Sequence, residues 1–539
     1  MENNKTLILW VLAGFISLAV FVAGYRYVFP AASVELNLSK NEAADKAGDF
    51  VRSQGFDLDG FDRAMIFGSD DGASVYLQKT QGVEKSNTLT REDVPVWFWS
   101  VRWFKEMEKE GFRVSVDPSR GEIVSFSHTI MEDVAGADLI QEEALALAEE
   151  KVSAMGIELE NYQLKDSVTK KQKNRTDYNF VWEQKGFKAD DATMRINLTL
   201  HGKELGSYSR FLKVPEKFFR DMRVETDFGA VLARLSNLVM FVLLLSALLL
   251  LVLKPAAISV DWKFGLAASG VLVALKALSL LNSIPLMWYY YPDTHSKAVY
   301  FLMSLVNGLT DALSGGLQIF AFGSLGELLA RHVWDTKIPL INGFKNRVIT
   351  LRTAAPVFIV GYSAGFIFLG YITVFYLCGE KLLHIWMPAS AAYSNMLDTL
   401  MPFLYPMTVA TSASLNEEFV FRLLAISYFM RIARPKWVAL LVPALIWGFA
   451  HSTYYVFPAY VRGIELTIYG IFLGVLFLRY GLETVIIAHF VIDACLAGMP
   501  LFTSGNLYFM ISGVAVIAAA FLPLGIIWYF VEKRKPLLS

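Results

Sequence analysis

Two adjacent glutamates and an arginine, Glu417, Glu418 and Arg422, interrupt an apolar stretch of this chain. His451, His489 and Asp493 follow in later apolar stretches. An ionisable side chain at bilayer depth is costly, so each is a candidate functional group before any other argument is made. Glu418 and Arg422, at i and i+4, share a helix face and can pair as a structural ion pair. Glu417 points about 100° away and is left without that partner, and an uncompensated carboxylate in a low-dielectric site suits a general base. His489 and Asp493, again i and i+4, share one face. A carboxylate and an imidazole can activate water, and further donors can hold a developing oxyanion.

Each residue also has a plainer reading. E-E-x-x-x-R occurs in many soluble helices. His451, near a helix end, can be an interfacial histidine. His489 with Asp493 can be a structural hydrogen bond, and Asp493 can take Lys276 as its partner. Their joint occurrence inside apolar helices favours a site.

The elements that must position these groups are membrane helices. Apolar residues make up 55% of the 539 and charged residues 18%, with a mean hydropathy of +0.42. That balance places much of the chain in lipid. A net charge of −1 gives no footprint for nucleic acid, which is not an expected partner. The two cysteines, Cys378 and Cys495, form no C-x-x-C pair, so neither a disulfide framework nor a thiolate metal site is expected.

Apolar runs at 7–29, 230–253, 264–284, 298–326, 354–377, 400–430, 437–455, 463–479, 482–498 and 507–531 predict about ten transmembrane helices. The first is long for a signal peptide, and Tyr25-Arg26-Tyr27 lacks a small-residue cleavage pattern, so it reads as an uncleaved span. Residues 31–228 are charge-rich and predict an inserted soluble α+β domain. Helical spacing over Ser39–Gly55 recurs over Gln141–Gly156. Strand-like runs follow each, at 96–101 and 112–116, then at 178–182 and 194–200, so two repeats are expected. The order resembles small α+β modules of the PepSY type. The expected organisation is a helix at 1–30, the soluble domain at 31–228, accessory helices at 229–349 and a core at 350–539.

Basic residues gather in alternate loops (Arg331, Lys337, Lys345, Arg347 and Arg352; Arg431, Arg434 and Lys436) and at Lys533, Arg534 and Lys535. They predict cytoplasmic termini and an extracytoplasmic soluble domain. Trp288 with Tyr289, Tyr290 and Tyr291 reads as an interfacial aromatic belt. Lys276 and Asp311, at similar depth in antiparallel helices, are expected to neutralise each other. Counted from the basic loops, the site should lie between the midplane and the cytoplasmic side, opposite the soluble domain.

In order and spacing, Glu417-Glu418-Phe419-Val420-Phe421-Arg422, Trp447-Gly448-Phe449-Ala450-His451 and His489-Phe490-Val491-Ile492-Asp493 resemble the CPBP family of intramembrane proteases. That family includes the type II CAAX prenyl endopeptidases. Trp447 stands where Phe is usual, and Asp493 where the eukaryotic enzymes have Asn. The resemblance covers roughly 350–500. It implies an intramembrane endopeptidase in which Glu417 and His451 activate water while His489 and Asp493 support the oxyanion. Its substrate would be a membrane protein or lipidated peptide. An ionised Asp493 would repel an oxyanion, so it must be protonated, orient His489 or bind a cation. No cofactor is favoured, although Glu417, His451 and His489 also make a zinc-like set of N and O ligands. Two other classes stay open: a non-proteolytic scaffold or immunity-type protein with a ligand-binding extracytoplasmic domain, and a transporter using Lys276 and Asp311.

Overall fold

A computed structural model describes residues 4–29, 34–253, 260–386, 396–433 and 435–534; Arg434 and Lys535 lie outside the described residues. It is a helical membrane assembly carrying a separate antiparallel sheet domain. The first helix, α1 (Asn4–Val28), leads into that domain. There α2 (Lys40–Ser53) precedes β1 (Asp62–Ser69), a helical pair α3 (Asp71–Gln81) and α4 (Val83–Glu92), and then β2 (Trp97–Phe104), β3 (Gly111–Val116) and β4 (Ile123–Thr129). The pattern recurs as α5 (Gln141–Ala154), β5 (Tyr162–Lys171), β6 (Thr176–Gln184), β7 (Thr193–His201) and β8 (Glu204–Lys213).

The eight strands form one sheet in the order β1-β2-β3-β4-β8-β7-β6-β5. Each half is thus a helix followed by a four-stranded meander, and the halves meet edge to edge where Ser125–Ser127 pair with Ser207–Ser209. Local sequence explains the start of each half. Ser39 and Glu42 form a capping box on α2, and the alternating strand β7 buries Met194, Ile196, Leu198 and Leu200. The sequence reading missed β1, the α3–α4 pair and β5. β5 is a charged, exposed edge strand (YQLKDSVTKK) with no apolar alternation to reveal it.

The remaining helices are α6 (Glu216–Leu253), α7 (Trp262–Asn282), α8 (Ile284–Tyr289), α9 (Lys297–Arg331), α10 (Pro339–Lys345), α11 (Leu351–Leu383) and α12 (Leu404–Glu417). A π-helical segment (Glu418–Ile426) then leads into α13 (Ser427–Ile432), followed by α14 (Lys436–Ala450), α15 (Val461–Tyr480), α16 (Leu482–Thr503) and α17 (Leu507–Arg534). Among the described residues, eight helices are long and apolar enough to cross a membrane, rather than ten. The other two expected spans exist as helices. However, α14 has only 15 residues, and the rod from α12 to α13 carries Glu417, Glu418 and Arg422 at its centre.

The sheet domain sits on one end of this assembly. Arg102 Nη1 donates to Tyr289 O at 2.7 Å, Ser100 Oγ lies 2.7 Å from the Tyr289 hydroxyl, and Lys40 pairs with Asp398 between α11 and α12. Tyr289 and Tyr291 are buried against β1 and β2. They form the seat of the sheet domain, which corrects their reading as an interfacial belt; Tyr290 alone is largely exposed. Lys276 Nζ and Asp311 Oδ2 meet at 2.8 Å, as their depths predicted.

Candidate active site

The site is built where the π-helical segment, α14 and α16 converge. A π turn inserts an extra residue into the helical ladder and re-aims the side chains around it. It begins at Glu418, immediately after Glu417. Close approach of α14 and α15 requires Gly448, where an added Cβ would lie 2.9 Å from Thr467 N. This contact fixes the height of Trp447 and His451 on either side of it. His451 itself caps the end of α14, with Nδ1 2.8 Å from Trp447 O.

All six sequence-selected residues come together. Arg422 Nη1 lies 3.1 Å from Glu418 Oε1, and both side chains are buried. Glu418 has a second partner that the sequence reading missed: its Oε1 is 2.7 Å from His489 Nδ1. The other ring nitrogen, His489 Nε2, lies 3.8 Å from Glu417 Oε2 and 3.5 Å from Asp493 Oδ2. The two adjacent glutamates therefore address opposite nitrogens of one imidazole. A bond from Nδ1–H to Glu418 would fix the orientation of that ring.

Glu417 is not left alone, contrary to the helical-wheel expectation. Trp447 Nε1 donates to its Oε2, and His451 Nε2 lies 3.7 Å from its Oε1. Trp447 also carries the Arg422 guanidinium over its ring at 4.2 Å, a cation–π contact. The residue that departs from the resembled pattern thus touches both halves of the site. Asp493 pairs with His489; Lys276, its other expected partner, is held by Asp311.

These groups line a cavity of about 340 Å³. Its other walls include Val409 and Ala413 on α12, Tyr454 and Arg462 at the α14–α15 connection, and Leu496 and Ala497 on α16. Val409 and Ala413 precede Glu417, towards the end of α12 that begins beside Asp398 and its sheet-domain partner Lys40. Leu496 and Ala497 follow Asp493 towards the same end. The cavity therefore extends from the polar cluster towards the sheet domain. Depth counted from the basic loops had placed the site towards the opposite end.

At this mouth stands a group that sequence reasoning missed. Arg462 Nη1 holds both Glu465 oxygens at 3.0 and 2.7 Å, and the Tyr376 hydroxyl donates to Glu465 Oε2 at 2.7 Å. The signal was available, since Glu465 is a carboxylate inside an apolar helix, like Glu417. Among the described residues no group of three or more His, Cys, Asp or Glu side chains is arranged to hold a metal ion.

Residues 399–495 match the family model described as type II CAAX prenyl endopeptidase Rce1-like. The match spans every residue from Glu417 to Asp493 and is narrower than the 350–500 read from the motifs. The CPBP resemblance drawn from those motifs is supported by it. The sporulation-killing factor biosynthesis protein SkfC of Bacillus subtilis (strain 168) is 24% identical over 507 residues, which cover 93% of this chain and 96% of that protein. No solved structure matches.

Proposed function

We propose that this protein is an intramembrane endopeptidase of the CAAX type, hydrolysing peptide bonds of membrane-associated peptides or proteins. The Rce1-like match supports protease activity of this general kind. The observation that carries the finer reading is the convergence of Glu417, His451 and His489 on one cavity inside an apolar helical assembly. Glu417 Oε1 and His451 Nε2 are 3.7 Å apart, longer than a direct hydrogen bond and suited to a water held between them.

That water attacks the scissile carbonyl carbon as Glu417, assisted by His451, takes its proton. His489 Nε2–H donates to the oxyanion of the tetrahedral intermediate. The C–N bond breaks as the proton held by Glu417 passes to the leaving amine, which leaves a carboxylic acid and an amine. Asp493, 3.5 Å from the same nitrogen, orients and charges His489 rather than facing the oxyanion. Trp447 fixes the Glu417 carboxylate, and Glu418 fixes the His489 ring. No step is routed through a metal.

Substrate enters on this reading from the sheet-domain side, past Tyr454 and Arg462. Basic residues at the other end of the helices (Arg331, Lys337, Lys345 and Arg479) support a cytoplasmic placement for that end and an extracytoplasmic sheet domain. The decisive experiment incubates the purified protein with a peptide library, with Glu417→Gln as control and metal analysis alongside. Cleavage by the parent and none by the folded variant supports the reading. Cleavage by neither, with unchanged cellular activity of the variant, favours the scaffold reading.

A further inference from the structure

The sheet domain carries a cleft of its own, of about 580 Å³, within the range of roughly 300–1,000 Å³ typical of ligand sites. It lies at the junction of the two halves. One wall is the end of α2, at Ser53 and Gln54, and the other is the end of α5, at Ala154 and Met155. Pairing between β4 and β8 stops at Ser125 and Ser209. The next residues along each strand, Val124 and Arg210, line the cleft. The sheet is thus parted at the point where the cleft forms.

Two polar atoms on these walls are buried and have no hydrogen-bond partner, Gln184 Oε1 and Arg210 Nε. Buried polar atoms are otherwise almost always satisfied, and each unsatisfied one calls for an explanation. One is an acceptor and the other a donor, the complement of a peptide unit's N–H and C=O. The rest of the Arg210 guanidinium is engaged, with Nη1 3.3 Å from Glu122 Oε2 and Nη2 donating to Asp93 O at 3.2 Å. The donor left over is thereby held in place. Tyr208 and Val124 add an apolar floor.

We propose that this cleft binds an extended peptide segment, its backbone amide held between Gln184 Oε1 and Arg210 Nε at the parting of β4 and β8. The site is separate from the hydrolytic cavity and does not depend on the protein being a protease. A bound strand satisfies both orphaned atoms and lies between strands that already diverge.

The test uses the full chain in detergent, in a Glu417→Gln background so that no probe is consumed. The probes are the hexapeptide acetyl-(Ala-Val)3-amide and its backbone N-methylated counterpart, followed by calorimetry and amide hydrogen exchange. The expected result is saturable binding of the first probe only, with slowed exchange over residues 121–124 and 208–212. Gln184→Leu should weaken binding about tenfold, and Met155→Trp, which fills the cleft, should abolish it. If Gln184→Leu fails to fold, Met155→Trp decides. Absence of saturable binding, equal binding of the N-methylated probe, or binding that survives Met155→Trp overturns the proposal.

Discussion

Glu418→Gln separates the structural role of this carboxylate from its role in placing His489. Glu418 and Arg422 are both out of solvent at 3.1 Å. Neutralising one partner strands the other as a buried charge, at a typical cost of about 3–5 kcal/mol. Stacking of Arg422 on Trp447 at 4.2 Å is common to parent and variant, so a loss of about 3–5 kcal/mol is expected. Glutamine retains an acceptor for His489 Nδ1, which keeps the ring in place and confines the damage to charge. Glu417→Gln, at the partly exposed cavity wall, should change stability by less than ~1 kcal/mol. The double variant Glu418→Gln with Arg422→Met removes the stranded charge and should recover most of the loss. Thermal unfolding in detergent, read on all four proteins, checks this. Equal destabilisation by the two glutamine variants, or no recovery in the double variant, would refute the division of roles.

Other consequences can be checked separately. Trp447→Phe keeps a ring for Arg422 but removes the donor to Glu417. Turnover should fall about tenfold with little change in melting temperature, and a rate equal to the parent's would remove Trp447 from the site. Burial pushes the carboxyl of Asp398, in the loop before α12, up to about 6 despite its Lys40 partner. The folded state then holds this proton more tightly than the unfolded chain does. The associated stability, about 3 kcal/mol at most by linkage, is full below about pH 4 and lost as pH rises through about 6. Asp398→Asn should flatten that dependence and raise the melting temperature at pH 8, and an unchanged pH profile would count against it. If the cavity opens towards the sheet domain, Ala497→Cys in a chain lacking Cys378 and Cys495 should react with an impermeant maleimide from that side of a proteoliposome. Labelling from the opposite side alone would contradict entry from the sheet-domain side.

The cluster of six was legible because polar groups in apolar helices stand out at any position, and all six residues singled out in this way meet. Their partnerships were less legible. The link from Glu418 to His489 joins segments 71 residues apart, and no periodicity within one helix reports which helix lies beside it. The helical wheel isolated Glu417 because it considered a single helix, whereas its partners Trp447, His451 and His489 all stand on neighbours. The same limit applies to the cavity: counting from Lys436 and Arg479 gives depth but not the direction in which the cavity extends. In the sheet domain, the amphipathic helices and the alternating strand β7 were readable. The charged edge strand β5 was not, because it lies at the sheet's rim with few buried side chains.

The central claim, hydrolysis by Glu417 with His451 inside the helical core, is tested most directly by single-turnover cleavage in proteoliposomes. A membrane-anchored peptide is the substrate, and the parent is compared with Glu417→Gln at matched thermal stability. Cleavage by the parent and a loss of at least about 100-fold in the variant are expected. A variant that folds normally and cleaves at the parent's rate would contradict the claim.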